Sequence, residues 1–149
     1  MPAPTIAEEI LGRCHYYRTA CALPCHVDER GRLAITIGGT LRALVLAEYW
    51  GYRVQEELAA WRMSGPTIWH PVQRLTILTG PYPIDDYDPA VRDLLRCTDS
   101  VLVEPGRPII LPSPGDGVRG WASPIRDLFR PTMATVLTTL AEYAARESR

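Results

Sequence analysis

Cys14, His15, Cys21, Cys25 and His26 fall within 13 positions of one another. Zinc takes thiolate and imidazole donors tetrahedrally, so such a density suggests a metal site. The spacing is not C-x2-C, however, and the local pattern divides the set. Cys14 shares a helical face with Ile6 and Ile10, and in the extended stretch Cys21, Leu23, Cys25 and Val27 fall on one side with His26 on the other. Reduced cysteine acting as a small buried hydrophobe accounts for three thiols without a metal. Zinc held by Cys14, Cys21, Cys25 and His26 is the competing reading, and a disulfide from Cys14 to Cys21 or Cys25 is the third.

The acidic run Asp85-Asp86-Tyr87-Asp88 offers hard oxygen ligands for a divalent cation. It lacks EF-hand spacing, and Asp88-Pro89 reads better as a helix start, with the acid as N-cap and proline at the first helical position. His70 sits near a strand end, where an imidazole can serve as a base, but no partnered nucleophile is visible beside it. Ser113 stands between two prolines, outside any G-x-S-x-G context. No G-x-G-x-x-G fingerprint is present, and Gly38-Gly39 and Gly115-x-Gly117 are ordinary turns. Of the four tryptophans, at 50, 61, 69 and 121, Trp121 lies in a Gly/Pro-rich segment and is the one expected to be partly exposed. With Arg119 and Arg126 it forms a candidate binding surface, as a protein interface or a base-stacking platform.

The elements that must position these residues follow from periodicity and punctuation. Thr5 and Glu8 form a capping box that opens a helix to about Thr19. Strands over 21–27 and 33–37 flank the turn Asp28-Glu29-Arg30-Gly31. The unbroken apolar run from Ala43 to Ala47 marks a strand buried on both faces of a covered sheet. Trp50, Val54, Leu58 and Trp61 then recur as one face of a helix laid back on it. Ser64-Gly65-Pro66 breaks that helix ahead of strands over 67–70 and 75–79. A helix from Pro89 follows, with Val91, Leu94 and Leu95 as its apolar face. A hairpin comes next, pairing 101–103 with 109–111. Ser123-Pro124 opens a short helical turn. The last helix runs from Pro131 to about Ala145, with Met133, Val136, Leu137, Leu140 and Tyr143 turned inward. This order predicts a single α/β (α+β) domain over residues 1–149, with a mixed sheet of about five to seven strands and helices packed on it.

Composition bounds the rest. With 149 residues and 46% hydrophobic content the chain can build one sizeable core. A formal net charge of −1 provides no long-range field to gather phosphate backbones. All 16 basic residues are arginine, so Schiff-base and P-loop lysine chemistry are excluded. The amino-terminal residues are acidic and no apolar run approaches membrane-spanning length, which predicts a cytoplasmic protein with reduced thiols and no membrane partner.

Three segments, LRALVLAEYWG, SGPTIWHP with RLTILTGP, and SVLVEPGRPIILPSPG, resemble the primase–polymerase (prim-pol) domain of bifunctional DNA primase/polymerases, in the archaeo-eukaryotic primase superfamily. Their order and spacing are similar to the family's metal-binding strand, its following hairpin and its closing hairpin, over about two-thirds of the chain. The resemblance implies two acids one residue apart on the first strand, where Val45 and Ala47 stand. It implies a histidine on the second strand, where Thr76 stands, and a third acid near Val101. Glu48 and Asp99 lie close, yet a one-residue shift on a strand turns a side chain to the opposite face. Two-metal phosphoryl transfer needs clustered carboxylates. The expectation is therefore a catalytically inactive prim-pol-like binding or adaptor domain, with no catalytic residue and no cofactor. Its partner would be another protein or a second copy of itself, with nucleic acid as the further option. Two alternatives compete: a small nucleotide-processing or other metal-dependent enzyme using Glu48, His70 and the Asp85–Asp88 loop, and a zinc-stabilised regulatory module.

Overall fold

A computed structural model describes residues 2–82 and 88–148. Its elements run α1 (Ile6–Ala20), β1 (Cys25–Val27), β2 (Leu33–Thr36), β3 (Arg42–Ala47), α2 (Glu48–Ala60), β4 (Thr67–His70), β5 (Arg74–Thr79), α3 (Pro89–Cys97), β6 (Val101–Leu102), β7 (Pro108–Ile110), β8 (Gly120–Ser123) and α4 (Met133–Glu147). The fold is mixed α+β. Among the described residues the strands divide into a three-stranded sheet, β1-β2-β7, and a five-stranded sheet, β6-β3-β5-β4-β8. Every strand pair in both is antiparallel. The single mixed sheet expected from sequence is thus two separate antiparallel sheets.

The division arises where a hairpin was expected over 101–111. Val103 N–H still donates to Ala43 C=O, but Gly106 N–H then donates to Ile37 C=O, and Ile37 N–H donates to Arg107 C=O. β6 completes the edge of one sheet beside β3, and β7 completes the edge of the other beside β2. Pro105 and Pro108 have no N–H with which to close a ladder between the two halves. The segment bridges the sheets instead of folding back on itself.

The five-stranded sheet is the middle layer. On one face, Ala43, Ile68 and Leu78 join Cys14 and Tyr17 of α1 and Leu33, Ile35, Ile109 and neighbours around the small sheet in one buried cluster. On the other, Leu44, Leu46 and Ile77 pack against Val54 and Leu58 of α2 and Met133, Val136, Leu137 and Leu140 of α4. No helix among the described residues is long and apolar enough to cross a membrane.

Local chemistry explains most boundaries. Thr5 caps α1 and exchanges hydrogen bonds with Glu8, as the capping-box spacing predicts. Asp88 caps α3 by accepting from Ala90 N–H, with Pro89 following. The extended run expected from Cys21 begins only at Cys25, because Ala22 takes φ 48 and Leu23 N–H folds back to donate to Tyr17 C=O. The turn expected at Ser123-Pro124 is instead the end of β8, which pairs with β4.

The helix α2 buries Gly51, Val54 and Leu58, while Trp61 is 70% exposed, contrary to the periodicity. The helix rests closely on the sheet near its start but stops short of Trp61. A Cβ on Gly51 would stand 2.6 Å from Leu75 Cδ1, so the helix backbone lies directly on β5 at that point. The helix then ends at Ala60, and Arg62 takes φ 57, which leaves Trp61 outside with its indole N–H donating to Glu57.

The close approach at Gly51 yields a direct expectation. Gly51→Ala must displace the helix or Leu75, costing about 1–3 kcal/mol of stability despite alanine's better helix propensity. Urea midpoints of the two proteins check this, and an unchanged or raised midpoint would show that the contact relaxes freely.

Candidate functional site

Ladder register decides which side chains of the large sheet stand together. Val45 pairs with Thr76 on one side and with Val101 on the other. Ala47 pairs with Arg74, Arg74 pairs with His70, and Thr76 pairs with Ile68. Cross-strand partners share a face, so Val45, Ala47, Thr76, Val101, Arg74 and His70 project from the same face as Ala43 and Leu78. The small sheet and α1 bury the Ala43–Leu78 end of that face. At the other end Val45 and Ala47 are only half-buried, and Val101 is 58% exposed. The strand expected to be buried on both faces is therefore partly open on one.

No carboxylate stands at the pairing positions of this end. Thr76 is buried, and its Oγ1 lies 2.8 Å from His70 Nε2. Arg74 donates from Nη1 to Asp99 C=O at 2.8 Å and from Nη2 to Asp99 Oδ2 at 2.7 Å. Asp99 itself sits at φ 52 in the turn ahead of β6. It meets Arg74 from outside the ladder instead of entering the face. Beyond β4, Arg119 pairs with Asp116 at 2.9 Å, both side chains being largely shielded from water. Burial, and secondarily the Arg119 cation, hold His70 below its ordinary value of 6.5. The open end of the sheet thus combines apolar side chains with a neutral imidazole and arginines that already have carboxylate partners.

The other candidates separate. Glu48 is the first residue of α2, its N–H donating to Gln73 C=O. It lies at the same end of the sheet as His70, but Arg74 stands on the strand between β3 and β4. Asp88 is committed to capping α3, and Asp85, Asp86 and Tyr87 lie outside the described residues. Cys14, Cys21 and Cys25 are buried beneath α1 and the small sheet, whereas His26 is exposed on β1. Among the described residues no group of three or more His, Cys, Asp and Glu side chains is placed to hold a metal ion. The Cys14 thiol instead donates to Cys25 C=O at 3.4 Å. Burial, reinforced by the neighbouring Cys14, pushes the Cys25 thiol up to about 12.

Trp121 is half-buried, edge-on to Tyr17 with ring centroids 6.1 Å apart. It stands opposite Ile68 on β8, next to Arg119 in sequence. Arg126 lies apart from this group, beyond the strand's far end. The Arg74–Asp99 contact escaped sequence reasoning because 25 positions separate its partners. No family model matches the chain, nor does any curated protein or solved structure.

Two measurements follow from these environments. The unfolded chain binds a proton at His70 near pH 6.5, and the folded chain only at lower pH, so the stability His70 contributes at neutral pH is lost as pH falls through that window. Between about pH 7 and about pH 5 the urea midpoint should fall less in His70→Gln than in the parent chain. Equal slopes would remove the burial effect. In a labelling experiment under native conditions, iodoacetamide should modify the exposed Cys97 rapidly and leave the three buried thiols intact until denaturant is added. Fast labelling of Cys25 would show that its cover opens.

Proposed function

We propose that this chain is a catalytically inactive, prim-pol-like binding domain that works through contacts with a protein. One observation carries the reading. Val45, Thr76 and Val101 are direct cross-strand neighbours with Ala47 on the same face, and none can ligate a metal ion. These are the positions at which the prim-pol resemblance calls for two acids, a histidine and a third acid. Cations held for phosphoryl transfer need carboxylates that converge, and here the corresponding positions carry two valines, an alanine and a hydroxyl.

The electrostatics favour a protein over nucleic acid as the partner. Neutralising a phosphate backbone takes arginines free to replace condensed counterions. Arg74 and Arg119 are already matched by Asp99 and Asp116, and His70 is uncharged at neutral pH. An exposed Val101 beside half-buried Val45 and Ala47 is apolar surface of the kind proteins bury against one another. A cytoplasmic location belongs to the same reading.

Calorimetric titration with Mg2+ or Mn2+ and nucleotide, alongside a primer-extension assay, tests the inactivity. Neither metal binding at this face nor extension is expected, and carboxylate-dependent metal binding with extension would overturn the proposal. Val101→Arg tests the surface. It should leave the melting temperature within about 2 °C of the parent, since Val101 is exposed, yet weaken self-association or capture of a protein partner about tenfold or more. Sedimentation distinguishes a second copy from a different protein. Binding to single-stranded DNA that Val101→Arg strengthens would replace the protein reading with a nucleic-acid one.

A further inference from the structure

A second polar site lies at the opposite end of β4 from His70. The linker from α2 to β4 and the linker from β8 to α4 face each other across a cleft of about 440 Å3. Arg62 and Ser64 come from the first linker, and Ser123, Arg126, Asp127 and Phe129 from the second. Strand pairing and close packing tie the cleft floor together. Ser123 is the ladder partner of Thr67, whose Oγ1 donates to Gly65 C=O at 3.1 Å. A Cβ on Gly65 would stand 2.3 Å from Pro131 Cδ, so the two linkers are already in contact beneath the opening.

The donors around this cleft are uncommitted. Arg32, Arg53, Arg74 and Arg119 each have a carboxylate partner, whereas among the described residues Arg30, Arg96 and Arg107 are exposed arginines without one. Among the described residues the guanidinium groups of Arg62 and Arg126 have no ion pair and no hydrogen bond, and the hydroxyls of Ser64 and Ser123 donate to nothing. Arg62 also occupies a left-handed backbone position, φ 57, where glycine or asparagine would sit more easily. Asp127 is the opposing charge, and its Oδ1 already accepts from Phe129 N–H at 2.9 Å. Two cations against one partly committed carboxylate leave the cleft net positive in a chain of net charge −1.

We infer that this cleft binds a phosphate group, as inorganic phosphate or as a small phosphomonoester. Guanidinium forks and hydroxyls approach from two walls. A tetrahedral oxyanion presents acceptor oxygens toward both, which a planar carboxylate cannot do as well. The cleft volume suits a small molecule rather than a polymer, and Phe129 gives an organic body a surface to rest on. The inference is independent of the sheet face, since no residue is common to the two sites.

Isothermal titration of the full chain at low ionic strength, with inorganic phosphate and separately with a nucleoside 5′-monophosphate, tests the site. One-to-one binding is expected. Arg62→Ala and Arg126→Ala should each weaken it about tenfold or more, because each removes a charge-assisted contact, and the double variant should abolish it. Asp127→Asn keeps the cap to Phe129 and should tighten binding. Tighter binding of the nucleotide than of phosphate would identify a phosphomonoester as ligand, and equal binding would identify the free ion. The inference is overturned if neither probe binds at millimolar concentration. It is equally overturned if affinity survives in an Arg62→Ala/Arg126→Ala protein that melts like the parent, or if chloride competes as well as phosphate does.

Discussion

The pairing of β3 with β5 is the constraint on which the remainder depends. It runs the full length of both strands, from Arg42 opposite Thr79 to Ala47 opposite Arg74. This register sends Leu44, Leu46 and Ile77 into the helical layer and Ala43 and Leu78 toward α1 and the small sheet. A slip of one residue would exchange the faces, exposing leucines and burying Arg74 beneath a helix. Gly51 strengthens the same choice from above, since the α2 backbone can rest on Leu75 only where no side chain intervenes. Both layers therefore enforce one register, and that register selects the side chains presented at the open end.

The character of that end comes from what the strands present and from how nearby charges are satisfied. Val45, Ala47 and Val101 supply apolar area, and the Thr76 hydroxyl meets His70. Arg74 and Arg119 find their carboxylates in turns outside the ladder. The Arg119–Asp116 pair is the better shielded of the two and is less weakened by salt, whereas Asp99 is largely exposed. A metal-dependent reaction would need negative charge gathered inward, and among the described residues the carboxylates that meet Arg74 and Arg119 stand around the rim. The cleft between the two linkers has the reverse arrangement, with positive groups left without partners.

Much of the scaffold is legible in local chemistry. The Thr5–Glu8 box, the Asp88-Pro89 helix start and the turn at Asp28 all act within a few residues of themselves. Their hydrogen-bond partners are near in sequence, so type and spacing suffice to place them. Expectations failed where the deciding partner was distant. Val101 and Ile109 pair with different sheets because β3 and β2 offer free edges, and α2 lies close on β5 because Leu75 meets the backbone of Gly51.

Residue type alone determined that lysine chemistry is absent, that Thr5 and Asp88 cap their helices, and that β3 carries no acid between Arg42 and Ala47. Tertiary structure decided which absences and which charges stand together. Val45, Thr76 and Val101 are neighbours only because antiparallel pairing joins segments tens of residues apart. Arg62 and Arg126 face one cleft only because β4 and β8 pair at their ends. Side-chain type is a local property of the chain. Cross-strand adjacency depends on which edges remain free and which faces must be buried, and those are settled by the whole fold at once.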